Sequence, residues 1–147
     1  MDYKSCGQFK TDKIIVVEEN KKKFIIENPQ QKMVHQVKVD GCLIPKHDVK
    51  CDYLFELREI ENKTQTIKRV FYVELKGKDI KHAYEQIIAT VEVCKNVHKD
   101  ALRECHIVSS SPNVTTQEFQ LLEKGLKKKY GKDIKLFKLA NQKSVMV

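Results

Sequence analysis

The sequence predicts an α/β fold built on a central mixed β-sheet flanked by helices. Runs rich in Ile, Val and Phe follow one another closely in the first half of the chain, and amphipathic helical patterns separate the strands of the second half. Strands joined by short turns pair antiparallel, whereas strands joined through a helix pair parallel. The chain has 147 residues. We expect one domain over 1–147, because a domain of ~150 residues buries roughly 70% of its unfolded surface.

The first strands form a predicted N-terminal antiparallel hairpin. Residues 1–12 show no periodicity and are expected to be a loose lead-in. The β-branched runs at 13–19 and 22–28 predict two strands joined by a short turn. A third strand is expected over 32–39, where apolar residues alternate imperfectly with polar ones.

A second hairpin is expected in the middle of the chain. Residues 51–59 alternate as a strand does, 61–63 form a loop tip, and 66–76 return as a hydrophobic strand. Because successive side chains of a strand point to opposite faces, Glu74 and Lys76 share one face. A charged pair at the end of an apolar strand is costly unless it is paired or bound to a ligand. The pair is therefore a candidate functional site.

Helices and strands alternate in the second half of the chain. A helix over 80–97 carries an apolar stripe at three- and four-residue steps, and Asp79 can cap its start. A short strand follows at 104–109 and a second helix at 116–130. A last strand is expected over 134–140.

Hydropathy along the chain predicts a cytoplasmic location. The sequence has no apolar run long enough to span a membrane, and its first residues lack the apolar core of a signal peptide. The five cysteines show no CxxC motif, so we expect reduced thiols, several of them buried. A zinc site of Cys42, His47 and Cys51 is the alternative, although that spacing fits no usual ligand pattern.

Positive charge is concentrated in the last part of the chain. The net charge is +8, and the segment from Lys124 onward holds eight lysines against one acid, Asp133. A basic segment on a nearly neutral body predicts a polyanionic partner, with nucleic acid first. A solvated lysine-rich face is the open alternative.

The middle hairpin also brings a third charged residue to the candidate site. Pairing of its two strands places Asp52 near Glu74 and Lys76. Two carboxylates suit Mg²⁺ or Mn²⁺, which can bridge to a phosphate, and a nearby lysine can orient water or neutralise charge. This combination is suited to hydrolysis of a phosphodiester bond.

Asp52, then Glu74-Leu75-Lys76 on the adjoining strand, then a helix carrying Gln86 resembles the PD-(D/E)xK nuclease superfamily. Restriction endonucleases, Holliday-junction resolvases and RecB-like exonucleases belong to this superfamily. The resemblance implies a restriction-endonuclease-like core and an Mg²⁺-dependent endonuclease. It implies Asp52, Glu74, Lys76 and Gln86 as catalytic residues, and Asp52, Glu74 and Leu75 as metal-binding residues.

The implied partner is nucleic acid, with DNA expected before RNA and no membrane involved. A homodimer is one expected assembly, since cutting both strands needs two such sites. The residues expected to contact nucleic acid are Lys78, His82, Lys127, Lys128 and Lys129.

The sequence departs from the superfamily pattern at two points. Cys51, not proline, precedes Asp52, and no N-terminal helix supplies a further acid. Glu18, Glu19 and Glu27 lie on predicted strands and are weak replacements for that acid. The alternative function is therefore a catalytically weak or inactive nuclease-fold module that binds nucleic acid or a protein partner.

Overall fold

The chain forms two β-sheets and two α-helices. The computed structural model describes residues 3–45, 48–75, 79–110 and 114–147. After a short 3-10 helix at Tyr3–Cys6, the strands are β1 (Gly7–Lys10), β2 (Ile14–Glu19), β3 (Lys22–Glu27), β4 (Met33–Lys38), β5 (Tyr53–Glu61), β6 (Thr64–Glu74), β7 (Leu102–Ser109), β8 (Ile134–Ala140) and β9 (Gln142–Met146). The helices are α1 (Ile80–Val93) and α2 (Thr116–Tyr130). No described helix is long and apolar enough to cross a membrane.

The central sheet is mixed, as predicted. Its strand order is β1-β4-β5-β6-β7-β8. The neighbours from β1 to β6 pair antiparallel, whereas β6 with β7 and β7 with β8 pair parallel. Each parallel connection contains a helix, which returns the chain to the edge where the previous strand began. The carboxyl ends of β6, β7 and β8 therefore lie along one edge of this sheet.

The two helices that flank the central sheet pack on the same face of it. One core cluster joins Ile87 and Val91 of α1, Leu126 of α2 and the helix-facing residues of the central strands. The opposite face packs against the second sheet through Phe24, Phe71 and their neighbours. The fold has more strand than helix because a sheet, rather than a helix, covers this second face.

The second sheet has the order β2-β3-β9. The N-terminal hairpin of β2 and β3 is confirmed, but β9 pairs parallel with β3 and was not predicted. The prediction of a loose lead-in over residues 1–12 was also wrong, because β1 lies within this segment and extends the central sheet beside β4. Both missed strands are short, and neither shows a regular apolar alternation, with only Val145 of β9 buried.

The expectation of five reduced thiols is wrong for Cys6 and Cys42, which form a disulfide with their Cα atoms 5.6 Å apart. Since β1 runs antiparallel to β4, Cys6 just before β1 meets the turn just after β4. Cys51, Cys94 and Cys105 are free and buried, as expected. The disulfide removes Cys42 from the alternative zinc site, and His47 lies outside the described residues.

A buried charge cluster lies in the central sheet around Glu56, which is fully buried. Its Oε1 accepts hydrogen bonds from Arg58 Nε at 3.0 Å and Nη2 at 2.6 Å, and it lies 2.9 Å from His35 Nδ1. Its Oε2 lies 2.5 Å from His98 Nε2, whose other ring nitrogen is 2.5 Å from the Tyr72 hydroxyl. These side chains surround the carboxylate and replace its hydration.

A second buried cluster joins Glu104 to Arg69 and His106. Burial disfavours the charged form of Glu104, but hydrogen bonds from His106 and Arg69 outweigh it and lower the pKa of Glu104 to about 2. The His106 ring stacks on Phe137 with centroids 4.8 Å apart. The central acids of both clusters, Glu56 and Glu104, lie on strands that are covered on both faces, where polar side chains must find partners within the protein.

The stability of the fold is expected to fall as the pH drops from about 6.5 toward 4. Burial and the Arg58 guanidinium lower the pKa of His35 from 6.5 to about 4. The folded chain holds this ring neutral, whereas the unfolded chain takes up a proton at about pH 6.5, so acid favours unfolding. The loss from His35 is ~3 kcal/mol. Burial also lowers the pKa of His106, so this ring adds to the loss of stability in acid.

Urea unfolding at a series of pH values measures this effect. We expect His35→Gln to reduce the slope of stability against pH, while the exposed His82→Gln control keeps it. Stability that is constant over this pH range would contradict the prediction.

Candidate active site

The candidate site lies where β5 begins and β6 ends. Tyr53 at the start of β5 pairs with Val73 of β6, so Asp52 and Glu74 are next to each other on adjoining strands. The predicted proximity of these two acids is confirmed. A short hairpin produces it, because the register of an antiparallel pair places the first residues of one strand opposite the last of the other.

Reciprocal hydrogen bonds join the two acids to each other's backbone. The Leu75 N–H donates to Asp52 Oδ2 at 2.9 Å, and the Asp52 N–H donates to Glu74 Oε1 at 3.1 Å. Hydrogen bonds from backbone N–H groups to carboxylates are strong and directional. Both carboxylates are therefore held in defined positions at the strand ends.

The two acids differ in exposure. Glu74 is fully buried, whereas Asp52 is half-buried and lines a cleft. The side chain of Leu75 is fully buried in the core between the two sheets. Of the predicted metal-binding residues, Asp52 is thus the one that lines the cleft.

Helix α1 holds the chain segment that leads into Asp52. Gln86 Nε2 donates to the Lys50 carbonyl oxygen at 3.2 Å, and the Cys51 N–H donates to Thr90 Oγ1 at 3.0 Å. Gln86 was predicted to support the site, and it does contact the backbone beside Asp52. Thr90 received no role from the sequence, although it lies four residues after Gln86 and so on the same edge of the helix.

The start of α1 is fixed by the predicted cap. The Asp79 carboxylate accepts hydrogen bonds from the N–H groups of Lys81 at 3.0 Å and His82 at 3.4 Å. This cap satisfies donors that have no partner within the helix. It places the exposed His82 in the first turn, where its side chain lines the cleft.

The cleft beside Asp52 has a volume of about 660 Å³. Its lining includes Glu19, Gln36, Lys50, Asp52, His82 and Gln86. It is bounded by the ends of β2 and β4, the segment before β5 and the N-terminal half of α1. The cleft is large enough for a small ligand or part of a polymer.

Glu19 brings a further acid to this cleft from the second sheet. It ends β2, and its Oε1 accepts a hydrogen bond from the Tyr53 hydroxyl at 3.0 Å. The sequence indicated Glu19 only as a weak replacement for a missing acid. Its position depends on the packing of one sheet on the other, which no local pattern reveals.

Gln36 adds an acceptor without a hydrogen-bond partner. Its Oε1 is buried, and no described donor lies within hydrogen-bond distance of it. Buried acceptors are normally paired, so an unpaired one in the wall of a cleft indicates a position where a ligand or water binds. The sequence offered no signal for this residue.

Burial and the acids of the site raise the pKa values of two neighbouring side chains, Tyr53 and Cys51. Burial, then the Glu19 hydrogen bond and the charges of Glu19 and Asp52, raises the pKa of Tyr53 to about 12. Burial is also the main reason that the pKa of Cys51 rises to about 12, and the charges of Glu74 and Asp52 add to it. The Cys51 thiol is therefore protonated at neutral pH and is not a nucleophile. The carboxylates of Glu19 and Asp52 at the cleft would interact favourably with a bound cation.

The predicted basic residues do not all lie at this cleft. Lys76 and Lys78 are outside the described residues. Lys127, Lys128 and Lys129 form the last turn of α2 and are not part of the lining of the cleft. This basic turn interacts within the protein, with Lys127 Nζ donating to the Lys132 carbonyl at 3.3 Å. The basic turn and the acid pair are therefore separate features.

The carboxylate oxygens of Asp52 and Glu74 are the type of ligand that a hard divalent cation takes. The described residues contain no group of three or more His, Cys, Asp or Glu side chains that could hold a metal ion. Mg²⁺ does not require such a group, since it keeps several waters and is held by one or two carboxylates together with substrate phosphates. Asp52 lines the cleft and Glu74 is buried beside it, so Asp52 is the carboxylate of the pair that faces the cleft.

Comparisons of the chain with models of protein families, with curated proteins and with solved structures found no match.

Proposed function

We propose that the chain is a metal-dependent nuclease that hydrolyses DNA phosphodiester bonds on a restriction-endonuclease-like core. The observation that carries this proposal is the reciprocal bonding of Asp52 and Glu74 at neighbouring strand ends. The mixed sheet, with an antiparallel hairpin followed by helix-linked parallel strands, supports the same core. The cleft that Glu19 and Asp52 line, with α1 along one side, is consistent with it.

Asp52 and Glu74 would hold Mg²⁺ or Mn²⁺. The ion would supply Lewis-acid polarisation of a phosphoryl oxygen and a more acidic water. Glu19 at the rim of the cleft adds a carboxylate that can accept a hydrogen bond from water, as it does from Tyr53. Gln86 and Thr90 keep the backbone next to Asp52 in place.

Basic residues would contribute to binding and catalysis around this acid pair. Lys76 follows Glu74 by two residues, and the superfamily resemblance gives it the role of orienting the attacking water. His82 and Lys50 line the cleft and can donate hydrogen bonds to phosphate oxygens. Lys78 and the basic turn of α2 would contact backbone phosphates farther along the DNA.

A non-catalytic module that binds nucleic acid is the second candidate. The complete burial of Glu74 favours it, because a working metal site needs both carboxylates to reach the ion. The net charge of +8 supports binding to a polyanion in either case.

Hydrolysis of plasmid and branched DNA with Mg²⁺ or Mn²⁺ tests the proposal. We expect cleavage by the parent, and a loss on the order of 100-fold or more in Asp52→Asn, because a fixed charge at the site is removed. Asp100→Asn, an exposed aspartate after α1, is the matched control and should cut as the parent does.

Three outcomes separate the candidates. Full activity of Asp52→Asn would show that the site assignment is wrong. No cleavage by the parent, combined with DNA binding that weakens steeply with salt, would favour the non-catalytic module. Calorimetry with Mn²⁺ on the parent and on Asp52→Asn shows separately whether Asp52 takes part in metal binding.

A further inference from the structure

Strand β2 forms one edge of the second sheet and leaves that edge open. Among the described strands, it pairs only with β3. Its side chains alternate strictly in exposure: Ile15 and Val17 are buried, while Ile14 and Val16 are 63% and 48% exposed. The strand therefore presents an unpaired backbone and an apolar outer face together.

The other sheet edges have features that discourage pairing, and β2 lacks them. The edge strand β8 carries Lys135 and Lys138, β9 carries Lys143, and β1 has only four residues. Lysines and short length are common protections of exposed edges. Strand β2 has no lysine or proline within it, and its register with β3 is uninterrupted. It is thus the edge best suited to receive another strand.

The hydrogen bonds to β3 show which backbone groups of β2 point outward. The Asn28 N–H donates to the Lys13 carbonyl at 2.7 Å, so Lys13 directs its backbone toward β3. Because this direction alternates along a strand, Ile14, Val16 and Glu18 direct their N–H and C=O groups to the open edge.

A contact on the far side of β3 agrees with this assignment. Glu27 lies opposite Ile14, and its carbonyl accepts a hydrogen bond from the Val147 N–H at 3.0 Å, on the side of β9. Glu27 therefore turns its backbone away from β2, as the alternation requires. Its opposite residue, Ile14, must then turn its own backbone away from β3.

We propose that the open edge of β2 binds the β2 of a second copy of this chain, antiparallel and about a two-fold axis at Val16. In this register, Val16 faces its own copy and Ile14 faces Glu18 as hydrogen-bonded pairs. The outward backbone groups of both strands meet in these pairs, and buried and exposed faces stay aligned. A slip by one residue would place buried side chains opposite exposed ones, and a slip by two would separate Lys13 from Glu19 of the partner subunit, so this register is preferred.

Charge complementarity supports a second copy as the occupant. The same register places Lys13 opposite Glu19 of the partner subunit at both ends of the strand pair. Opposite charges that face each other across a strand pair are stabilising, whereas like charges are not. On the outer face, Ile14 and Val16 of both copies form one apolar patch, and each half is small on its own.

The pairing also changes the cleft. Glu19 lines the cleft and contacts Tyr53, and in the dimer Lys13 of the partner subunit lies across from it. Each subunit would thus add a cation to the acidic rim of the other's cleft. This inference does not depend on the proposed nuclease function, because it follows from the edge and its charges.

Sedimentation velocity over a range of concentrations tests the proposal. We expect the fraction of dimer to rise with concentration and the dimer to predominate at about 100 µM. At that concentration, a dimer with a Kd of about 1 µM leaves few monomers. Val16→Lys should be monomeric, since it places two like charges opposite each other. Leu121→Lys, at a leucine on α2 that is 64% exposed, is the matched control and should remain dimeric.

A charge exchange tests the register itself. Lys13→Glu should weaken the dimer by about tenfold or more, and adding Glu19→Lys should restore it. This pair decides the question even if Val16→Lys does not fold, which circular dichroism would show. A monomeric parent, a dimer that survives Val16→Lys or is unaffected by Lys13→Glu, or assemblies larger than a dimer would overturn the proposal.

Discussion

Replacing Glu74 with glutamine is expected to reduce metal-dependent DNA hydrolysis on the order of 100-fold or more, with the fold retained. Glutamine keeps an oxygen that can accept the hydrogen bond from the Asp52 N–H, now 3.1 Å from Glu74 Oε1. It lacks the negative charge that a divalent ion requires from its ligands. The rate of plasmid cleavage under Mg²⁺ measures the effect, and thermal unfolding checks the fold.

Glu123→Gln is the matched control for this substitution. Glu123 on α2 also accepts a backbone hydrogen bond at a strand, from the Leu136 N–H at 2.9 Å, but it does not line the cleft. We expect this variant to cleave DNA at the rate of the parent. Equal activity of Glu74→Gln and the parent would rule out Glu74 as a metal ligand and leave Asp52 to be tested alone.

Replacing Glu56 with alanine is expected to lower the free energy of unfolding by about 3–5 kcal/mol. The buried carboxylate accepts two hydrogen bonds from Arg58 and contacts His35 and His98. Its removal takes the acceptor from these side chains and leaves a nearly buried guanidinium, which is 7% exposed, without its carboxylate partner. Urea unfolding near neutral pH measures the loss.

Glu59→Ala provides the comparison on the same strand. Glu59 is exposed near the end of β5, so its removal should change stability by less than about 0.5 kcal/mol. A loss below about 1 kcal/mol in Glu56→Ala would mean that water or a rearranged partner replaces the carboxylate, and that the cluster stabilises the fold little.

Local patterns in the sequence were sufficient for much of the candidate site. The proximity of Asp52 and Glu74 follows from one hairpin, in which the strands are close in sequence and their pairing sets the register. The placement of Gln86 follows from a helix that starts soon after β6 and is capped by Asp79. The hairpin and the start of the helix are determined by neighbouring residues, so propensity and alternation predict them.

Other parts of the site depend on contacts between distant segments. Glu19 reaches the cleft because the second sheet packs on the central one, and Gln36 becomes a buried acceptor in the same region. The Cys6–Cys42 disulfide requires β1 to pair with β4. A strand of only four residues is too short for its sequence pattern to predict this pairing. Sequence patterns carry little information about such long-range pairings.

The two buried charge clusters in β5 and β7 are features that the local sequence pattern does not reveal. Strand β5 is covered on both faces, so Glu56 is buried together with its polar partners. His98 joins the cluster from the segment after α1, far from Glu56 in sequence. Whether both faces of a sheet are buried depends on how the whole chain folds.

By itself, the sequence determined the α/β class, the two hairpins, the helix-linked parallel strands and the meeting of Asp52 with Glu74. Each of these follows from local periodicity, capping and short-range pairing. The tertiary structure alone decided that both helices share one face, that β9 completes a second sheet and that β2 keeps an open edge. Those outcomes depend on which apolar faces can be buried against each other, and that is settled only when all the layers pack.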